Sequence, residues 1–275
     1  MRRETHISSE EMKKQLLEML VKFDEYCMRH DIFYSVLAGT LLGAVRHHGF
    51  IPWDDDIDVA VPRPDLNRLI ASADDFKRET GLELRGHLGV PLKTAPLVKV
   101  VNPNIRVEAH RESGKRFLWI DISPFDGLPA DDEELAGFCE KTRFLQKMFG
   151  TLGSRTAGGK NSWKRRVIFL TAPLRPIKPL RIFIAFRLTK LAQTYPFGST
   201  PYVGSVSWGL SGVRERVHAD TFAKRVPMQF EGHTIQAMGC WEEYLVQTYG
   251  KEYMIPPSGH LAPHVTTAWI VDRSD

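Results

Sequence analysis

Asp54, Asp55, Asp56 and Asp58 fall within five residues of one another, between the apolar residues Ile51 and Trp53 on one side and Ile57, Val59 and Val61 on the other. A solvated acidic surface does not carry that flanking pattern, so the carboxylates belong beside a core. If Ile57 to Val61 is a strand, side chains alternate across it and Asp56 and Asp58 project from one face, with Asp54 adding to the same side. Two carboxylates about 4 Å apart repel by roughly 4 kcal/mol at an effective dielectric near 20, and desolvation beside Trp53 and Ile51 adds to that cost. Something positive must offset it. Oxygen ligands alone favour a hard divalent ion, Mg²⁺ or Mn²⁺, completed by water and phosphate oxygens. The EF-hand spacing with its terminal glutamate is absent.

The elements before the cluster supply a complementary half. A short buried strand ends near Ala38, and Gly39-Thr40 is expected to turn the chain into a helix beginning near Leu41. The free N–H groups and positive dipole end of that helix suit a phosphate. There is no Walker lysine pattern and no complete dinucleotide fingerprint. The spacing of the Gly-Thr turn from Asp56-Ile57-Asp58 therefore carries the weight.

A Gly-[Ser/Thr] turn after one strand and Asp-x-Asp on the next resembles the nucleotidyltransferase fold. More narrowly, Gly39-Thr40-Leu41-Leu42-Gly43-Ala44-Val45-Arg46 through Gly49-Phe50-Ile51-Pro52-Trp53-Asp54-Asp55-Asp56-Ile57-Asp58 resembles the LicD family of phosphocholine and polyol-phosphate transferases, related to fukutin-type proteins. Trp119-Ile120-Asp121-Ile122-Ser123-Pro124-Phe125-Asp126-Gly127-Leu128-Pro129 is similar to the family's second motif. Tyr249-Gly250, Tyr253-Met254 and Pro256-Pro257, with His264 beyond, are similar to its C-terminal motif. Ser123 stands where a bulky apolar residue is expected, and His260 to His264 lacks charged residues around the histidine.

The resemblance implies a metal-dependent phosphotransferase that moves a substituted phosphoryl group, such as phosphocholine, from a CDP-activated alcohol to a glycan hydroxyl and releases CMP. Lipopolysaccharide or teichoic acid biosynthesis is the setting it implies, with a glycan or lipid-linked glycan as acceptor. Carried over residue by residue, Asp56 and Asp58 are the metal pair, and Asp121 is a third ligand or the base for the acceptor hydroxyl. Arg46 either grips a pyrophosphate or pairs with Asp54 or Asp55. Lys99 approaches the same phosphates or lies on a solvated strand edge. Gly39, Thr40 and Gly43 would cradle the nucleotide, Trp53 would wall the site or fill the core, and His264 enters from the family motif. Two alternatives share the fold: a nucleotidyltransferase that attaches NMP and expels pyrophosphate, and an inactive binding or scaffold protein.

The expected fold is α/β (α+β), a nucleotidyltransferase-like mixed sheet flanked by helices with a basic helical insertion. One catalytic domain over 1–275 would comprise a core at 1–130, a basic helical region at 131–200 and a completing part at 201–275. With 275 residues, 43% hydrophobic and 25% charged, one substantial core is within reach. Cys27, Cys139 and Cys240 fit neither a zinc pattern nor an even disulfide count, which suits a cytoplasmic protein. No apolar leader follows Arg2 and Arg3.

Charge is unevenly spread. Between Glu140 and Glu215 there are 14 Lys and Arg and no acid, leaving 23 basic against 33 acidic residues elsewhere. Within this stretch, over 160–190, Val167 to Leu170 and Ile182 to Phe186 are apolar but too short to span a bilayer, which needs about 20 residues. They suit either peripheral contact with the inner face of an anionic membrane or a helical subdomain showing cations to a substrate. No nucleic-acid module accompanies the basic residues, so nucleic acid is not an expected partner.

Periodicity predicts a helix over Ser9–Arg29 opened by a Ser8/Glu11 capping box. Strands are expected at Ile32–Leu37, Ile57–Val61, Leu97–Val101, Ile105–Ala109 and Phe117–Ile122. Helices are expected over Leu41–Arg46, Asp65–Phe76, Asp132–Phe149 and Trp241–Tyr249, the last ending at Gly250, and through the basic stretch after a linker at Gly153–Gly159. A hairpin pairs Val226–Phe230 with His233–Met238 through Glu231-Gly232.

Overall fold

A computed structural model describes residues 4–109, 115–153, 178–207, 212–256 and 265–271. After a short strand β1 (Glu4–Ile7), helix α1 (Ser9–Arg29) is capped as expected, the Ser8 hydroxyl oxygen accepting the Glu11 N–H at 3.1 Å. Its buried residues, among them Met12, Leu16, Leu20 and Phe23, recur at three- and four-residue steps and lay one face on the sheet and its neighbours. Then come β2 (Ser35–Val36), α2 (Ala38–His47), β3 (Asp58–Pro62), α3 (Arg63–Ala71), α4 (Ala73–Thr80), β4 (Glu83–Gly86), β5 (Val98–Ala109) and β6 (Lys115–Leu128). The rest is α5 (Asp132–Gly153), α6 (Lys178–Ala192), β7 (Tyr202–Gly204), β8 (Val217–His218), α7 (Ala219–Phe222), β9 (Arg225–Phe230), β10 (His233–Met238), α8 (Trp241–Tyr249) and β11 (Val265–Val271).

The mixed sheet runs β1-β11-β5-β6-β3-β2, with β4 beside β5 and β7 joining β6 to β8. All its pairs are antiparallel except β3 against β6, where residues 58–62 run parallel to residues 121–125. The hairpin β9–β10 turns at Glu231-Gly232, both at positive φ (48° and 78°), and docks on β2 through the Met238 N–H donating to Ser35 Oγ at 2.8 Å. Val36, Val59, Ile120, Ile122 and Phe125 from the sheet meet α1 and the flanking helices in one large core. A smaller cluster of Leu128, Leu135, Phe138, Ala192 and Val206 ties α5 and α6 to the end of β6.

Several boundaries differ from expectation. The strand expected at Ile32–Leu37 contracts to Ser35–Val36, and α2 starts at Ala38, three residues before Leu41. Ala38 itself takes φ 48°, a left-handed value unusual for a residue with a Cβ, which makes the turn into the helix without a glycine. Asp65–Phe76 is two helices meeting at Ser72. The two strands expected around residue 103 form one strand with a register shift between Asn102 and Arg106, where Pro103 has no N–H to give the ladder. Helix α5 continues to Gly153, so that residue closes a helix and does not open a linker. Residues 154–159 of the expected linker, and the basic residues up to 177, lie outside the described residues. Strand β11 was not anticipated. Gly250 ends α8 at φ 89° and ψ 169°, a region open essentially to glycine alone.

Candidate active site

Strand register brings the predicted carboxylates together. Asp58 opens β3 opposite Asp121 of β6, and Asp121 is in turn the partner of Lys99 on β5. Partners in register share a sheet face, so three charged side chains stand in a row across three strands. Lys99 Nζ lies 2.9 Å from Asp121 Oδ1 and 4.1 Å from the centre of the Trp119 ring. The Trp119 indole N–H donates to Asp121 Oδ2 at 2.9 Å. Trp119 and Asp121 are two apart on one strand and therefore face the same way; the sequence contained that signal, yet Trp119 was not among the predicted site residues.

Asp58 is the electrostatic centre. Burial first, then the charges of Asp56, Asp121 and Asp54, push its carboxyl well above the usual carboxylate range, against a weaker pull from Lys99. Its backbone is fixed from two sides: the Asp58 N–H donates to Thr40 Oγ1 at 2.9 Å, and its carbonyl accepts the Leu37 N–H at 2.9 Å. Thr40 thus locks the first turn of α2 to the start of β3. Gly39 faces Asp54, whose Oδ2 would lie only 2.5 Å from a Cβ there, so the positive end of α2 already has a carboxylate beside it. Gly43 serves packing, since a Cβ would meet the Gly49 carbonyl oxygen at 2.4 Å.

The acidic run divides its labour. Asp55 is buried and accepts the Val265 N–H at 2.7 Å, anchoring the first residue of β11. Arg46 donates from Nη1 to the Tyr253 carbonyl at 2.9 Å and thereby ties α2 to the segment after α8. Trp53 is partly buried against the main core. His264 lies outside the described residues. Tyr249, at the end of α8, is a neighbour that sequence reasoning quoted as motif but did not assign: its phenol is pushed up by partial desolvation and then by Asp58, Asp54, Glu215 and Asp56.

Among the described residues no three His, Cys, Asp or Glu side chains are already gathered tightly enough to hold a metal ion. The donor chemistry nonetheless fits a hard divalent cation, because Asp58 is a crowded carboxylate whose like-charged neighbours outweigh one lysine. Asp121 Oδ2 accepts from the Trp119 indole, while Oδ1 meets Lys99 as an ion pair without a hydrogen bond, which leaves lone pairs for a ligand or a proton.

A mixed sheet with a glycine-containing helix turn facing Asp-x-Asp, and a further aspartate on the parallel neighbour, defines a nucleotidyltransferase-like core. Residues 31–134 match the family model described as LicD/FKTN/FKRP, nucleotidyltransferase domain, and the chain carries a domain of that family. Along most of its length the chain is similar to the lipopolysaccharide cholinephosphotransferase LicD of Haemophilus influenzae, with 28% identity over 258 residues covering 90% of this chain and 92% of that one. Shorter likenesses join it to two uncharacterized rickettsial proteins. That of Rickettsia typhi is 40% identical over 57 residues (21% of this chain, 18% of the relative), and that of Rickettsia prowazekii 37% over 68 residues (22% and 26%).

Proposed function

We propose that this protein transfers phosphocholine, or a similar alcohol phosphate, from a CDP-activated donor to a hydroxyl of a lipopolysaccharide-type glycan and releases CMP. The observation that carries the reading is the row Lys99, Asp121, Asp58 on three adjacent strands, beside the locked first turn of α2. The likeness to a lipopolysaccharide cholinephosphotransferase over nine-tenths of the chain supports the transferred group and the acceptor class.

In the proposed reaction the acceptor oxygen attacks the phosphorus that bears the alcohol, the bond from that phosphorus to the CMP oxygen breaks, and the hydroxyl proton passes to a carboxylate. Asp56 and Asp58 would hold Mg²⁺ or Mn²⁺, which when bound supplies positive charge to the nonbridging oxygens. Asp121 accepts the hydroxyl proton, its plane fixed by Lys99 and the Trp119 indole. Lys99 adds positive charge next to the phosphoryl oxygens. Arg46 positions the Tyr253 segment against the site.

Peripheral contact with an anionic membrane would bring the enzyme to a lipid-linked acceptor. Phe144 and Met148 on α5 and Phe183 and Phe186 on α6 are exposed, with exposed Lys141, Arg143, Lys147, Arg187 and Lys190 on the same two helices. Apolar rings among cations suit an anionic surface. No helix among the described residues is long and apolar enough to cross a membrane. Co-sedimentation with anionic vesicles at low salt, lost in Phe144→Ser/Phe183→Ser, is expected; equal recovery of both proteins in the supernatant would refute the contact.

Mass analysis of a lipopolysaccharide acceptor after incubation with Mg²⁺ and either CDP-choline or CTP tests the function. A gain of one phosphocholine with one CMP released per transfer is expected. A nucleotide attached to the acceptor, with pyrophosphate released from CTP, would replace this reading with nucleotidyl transfer.

A further inference from the structure

The row of charges does not stop at Lys99. Arg85 on β4 is the register partner of Lys99, so four adjacent strands present Arg85, Lys99, Asp121 and Asp58 in line, two cations followed by two carboxylates. Over the cationic half lies a cleft of about 500 Å³, lined by Arg85, Lys99 and Arg116, the rings of Phe117 and Trp119, and apolar residues such as Leu92 from the loop after β4. That volume lies within the usual range for small-molecule sites. The cleft shares Lys99 and Trp119 with the carboxylate centre, so the two are continuous.

We infer that this cleft is the subsite for an anionic substituent, a phosphate or carboxylate, on the acceptor glycan. The inference rests on the transferase reading above for the word acceptor, while the anion preference rests on the cleft itself. A quaternary ammonium group would meet Arg85, Lys99 and Arg116 there and offers no acceptor for their N–H groups, so the choline end of a donor is disfavoured. A nucleobase would need open ring faces, yet Arg85 lies 4.5 Å and Arg106 5.5 Å from the centre of Phe117, and Lys99 sits over Trp119. What the cleft presents is guanidinium and ammonium groups carried on aromatic platforms, suited to a charged oxyanion on an otherwise uncharged ring.

Two acids pair with these cations: Glu83 accepts from Arg85, Nε to Oε2 at 3.0 Å, and also meets Lys77, while Asp121 meets Lys99. A guanidinium has five N–H donors and an ammonium three, so each paired cation keeps donors for an incoming oxyanion. Behind the cleft, His87 is buried and its imidazole is pushed well below its ordinary value, first by burial and then by Lys99, Arg116 and Arg181. With neighbouring strands about 4.8 Å apart, Arg85 stands two strands, or about 10 Å, from Asp121. The anion it takes is therefore one or two sugar residues from the hydroxyl that reacts.

Binding of glucose 6-phosphate, glucose, CMP and choline to the full-length protein, measured by calorimetry, tests this without any turnover. Arg85→Gln removes an exposed cation, and Gly89→Asp adds a carboxylate at the cleft where a side chain meets nothing within 4 Å, at a positive φ that Asp tolerates better than most residues. Saturable glucose 6-phosphate binding, absent for glucose, weakened at least about tenfold by each variant and weakened by salt, is expected. CMP should lose less than about twofold, well under the 1.4 kcal/mol of a tenfold change. No binding of glucose 6-phosphate, binding indifferent to both variants, capture of choline, or a tenfold loss for CMP instead would each overturn the assignment. A protein that binds glucose 6-phosphate through Arg85 but never releases CMP from CDP-choline would end the transferase reading and leave the anion site standing.

Discussion

Strand β6 carries two aspartates five residues apart, each facing one cation, and they are opposite in kind. Asp126 is fully buried and takes Arg63 in a fork, Nε to Oδ1 at 2.8 Å and Nη2 to Oδ2 at 2.6 Å, with Arg63 itself 8% exposed. Asp121 meets Lys99 at 2.9 Å with the side chains 17% and 13% exposed, and stands beside a second carboxylate, Asp58, that no cation of its own satisfies. The first pair is closed: both carboxylate oxygens take a guanidinium N–H in a buried fork, which is the structure of a fastening between α3 and β6. The second is open and carries surplus negative charge. Charge retained at some cost to the fold is the mark of a working site, and the two together show that an aspartate on a strand says little until its partner and its neighbours are known.

The sharpest way to break the comparison is at the closed pair. Arg63→Met should cost about 3–5 kcal/mol of stability, because it strands a buried carboxylate; urea denaturation reads it, and a loss under 1 kcal/mol would show that the pair is not a fastening. At the open end, Asp58→Asn should lower turnover by more than about 10²-fold while leaving the folded state no less stable, since it relieves like-charge crowding. Trp119→Phe keeps a ring over Lys99 but deletes the donor to Asp121 Oδ2. A hydrogen bond to a charged group is worth about 1.5 kcal/mol or more, so kcat/KM should fall about tenfold with little change in Tm.

A smaller effect separates the two regions by pH. His87 has its folded pKa lowered below the unfolded value near 6.5, so its contribution to stability is present above that pH and is lost as pH falls through 6.5 toward the folded value. The slope from one proton is at most about 1.4 kcal/mol per pH unit. Asp126 is shifted the other way: burial raises it in spite of Arg63, so its contribution is present at low pH and lost as pH rises through the folded value. Loss of stability between pH 6.5 and 5 should therefore flatten in His87→Gln and persist in Asp126→Asn, as read by thermal melts across that range.

What the sequence made legible was short-range. Asp56 and Asp58 in one run, Ser8 with Glu11, and Glu231-Gly232 between two alternating segments each declare themselves within a few residues, and each lies where local chemistry puts it. Asp121 was legible through its own hydrophobic strand. The rest depends on pairings far apart in sequence. Asp55 reads as one more acid in a cluster, but it serves the Val265 N–H 210 residues away. Arg46 reads as a phosphate grip, and nothing in its neighbourhood along the chain shows that it also donates to the Tyr253 carbonyl 207 residues away. Arg85 has no local signature at all; only the antiparallel register of β4 and β5 sets it beside Lys99. Helix α2 starts early because Ala38, and not Gly39, adopts the positive φ at the turn, a choice that propensity opposes.

The central claim is that the open carboxylate row between β3 and β6 is where a phosphoryl group is transferred. CMP release from CDP-choline in the presence of glycan acceptor, followed with and without Mg²⁺ for the native protein and for Asp58→Asn matched in thermal stability, tests it most directly. The account predicts release that requires the metal in the native protein and falls at least about 10²-fold in the variant; undiminished metal-dependent release from a folded Asp58→Asn protein would contradict it.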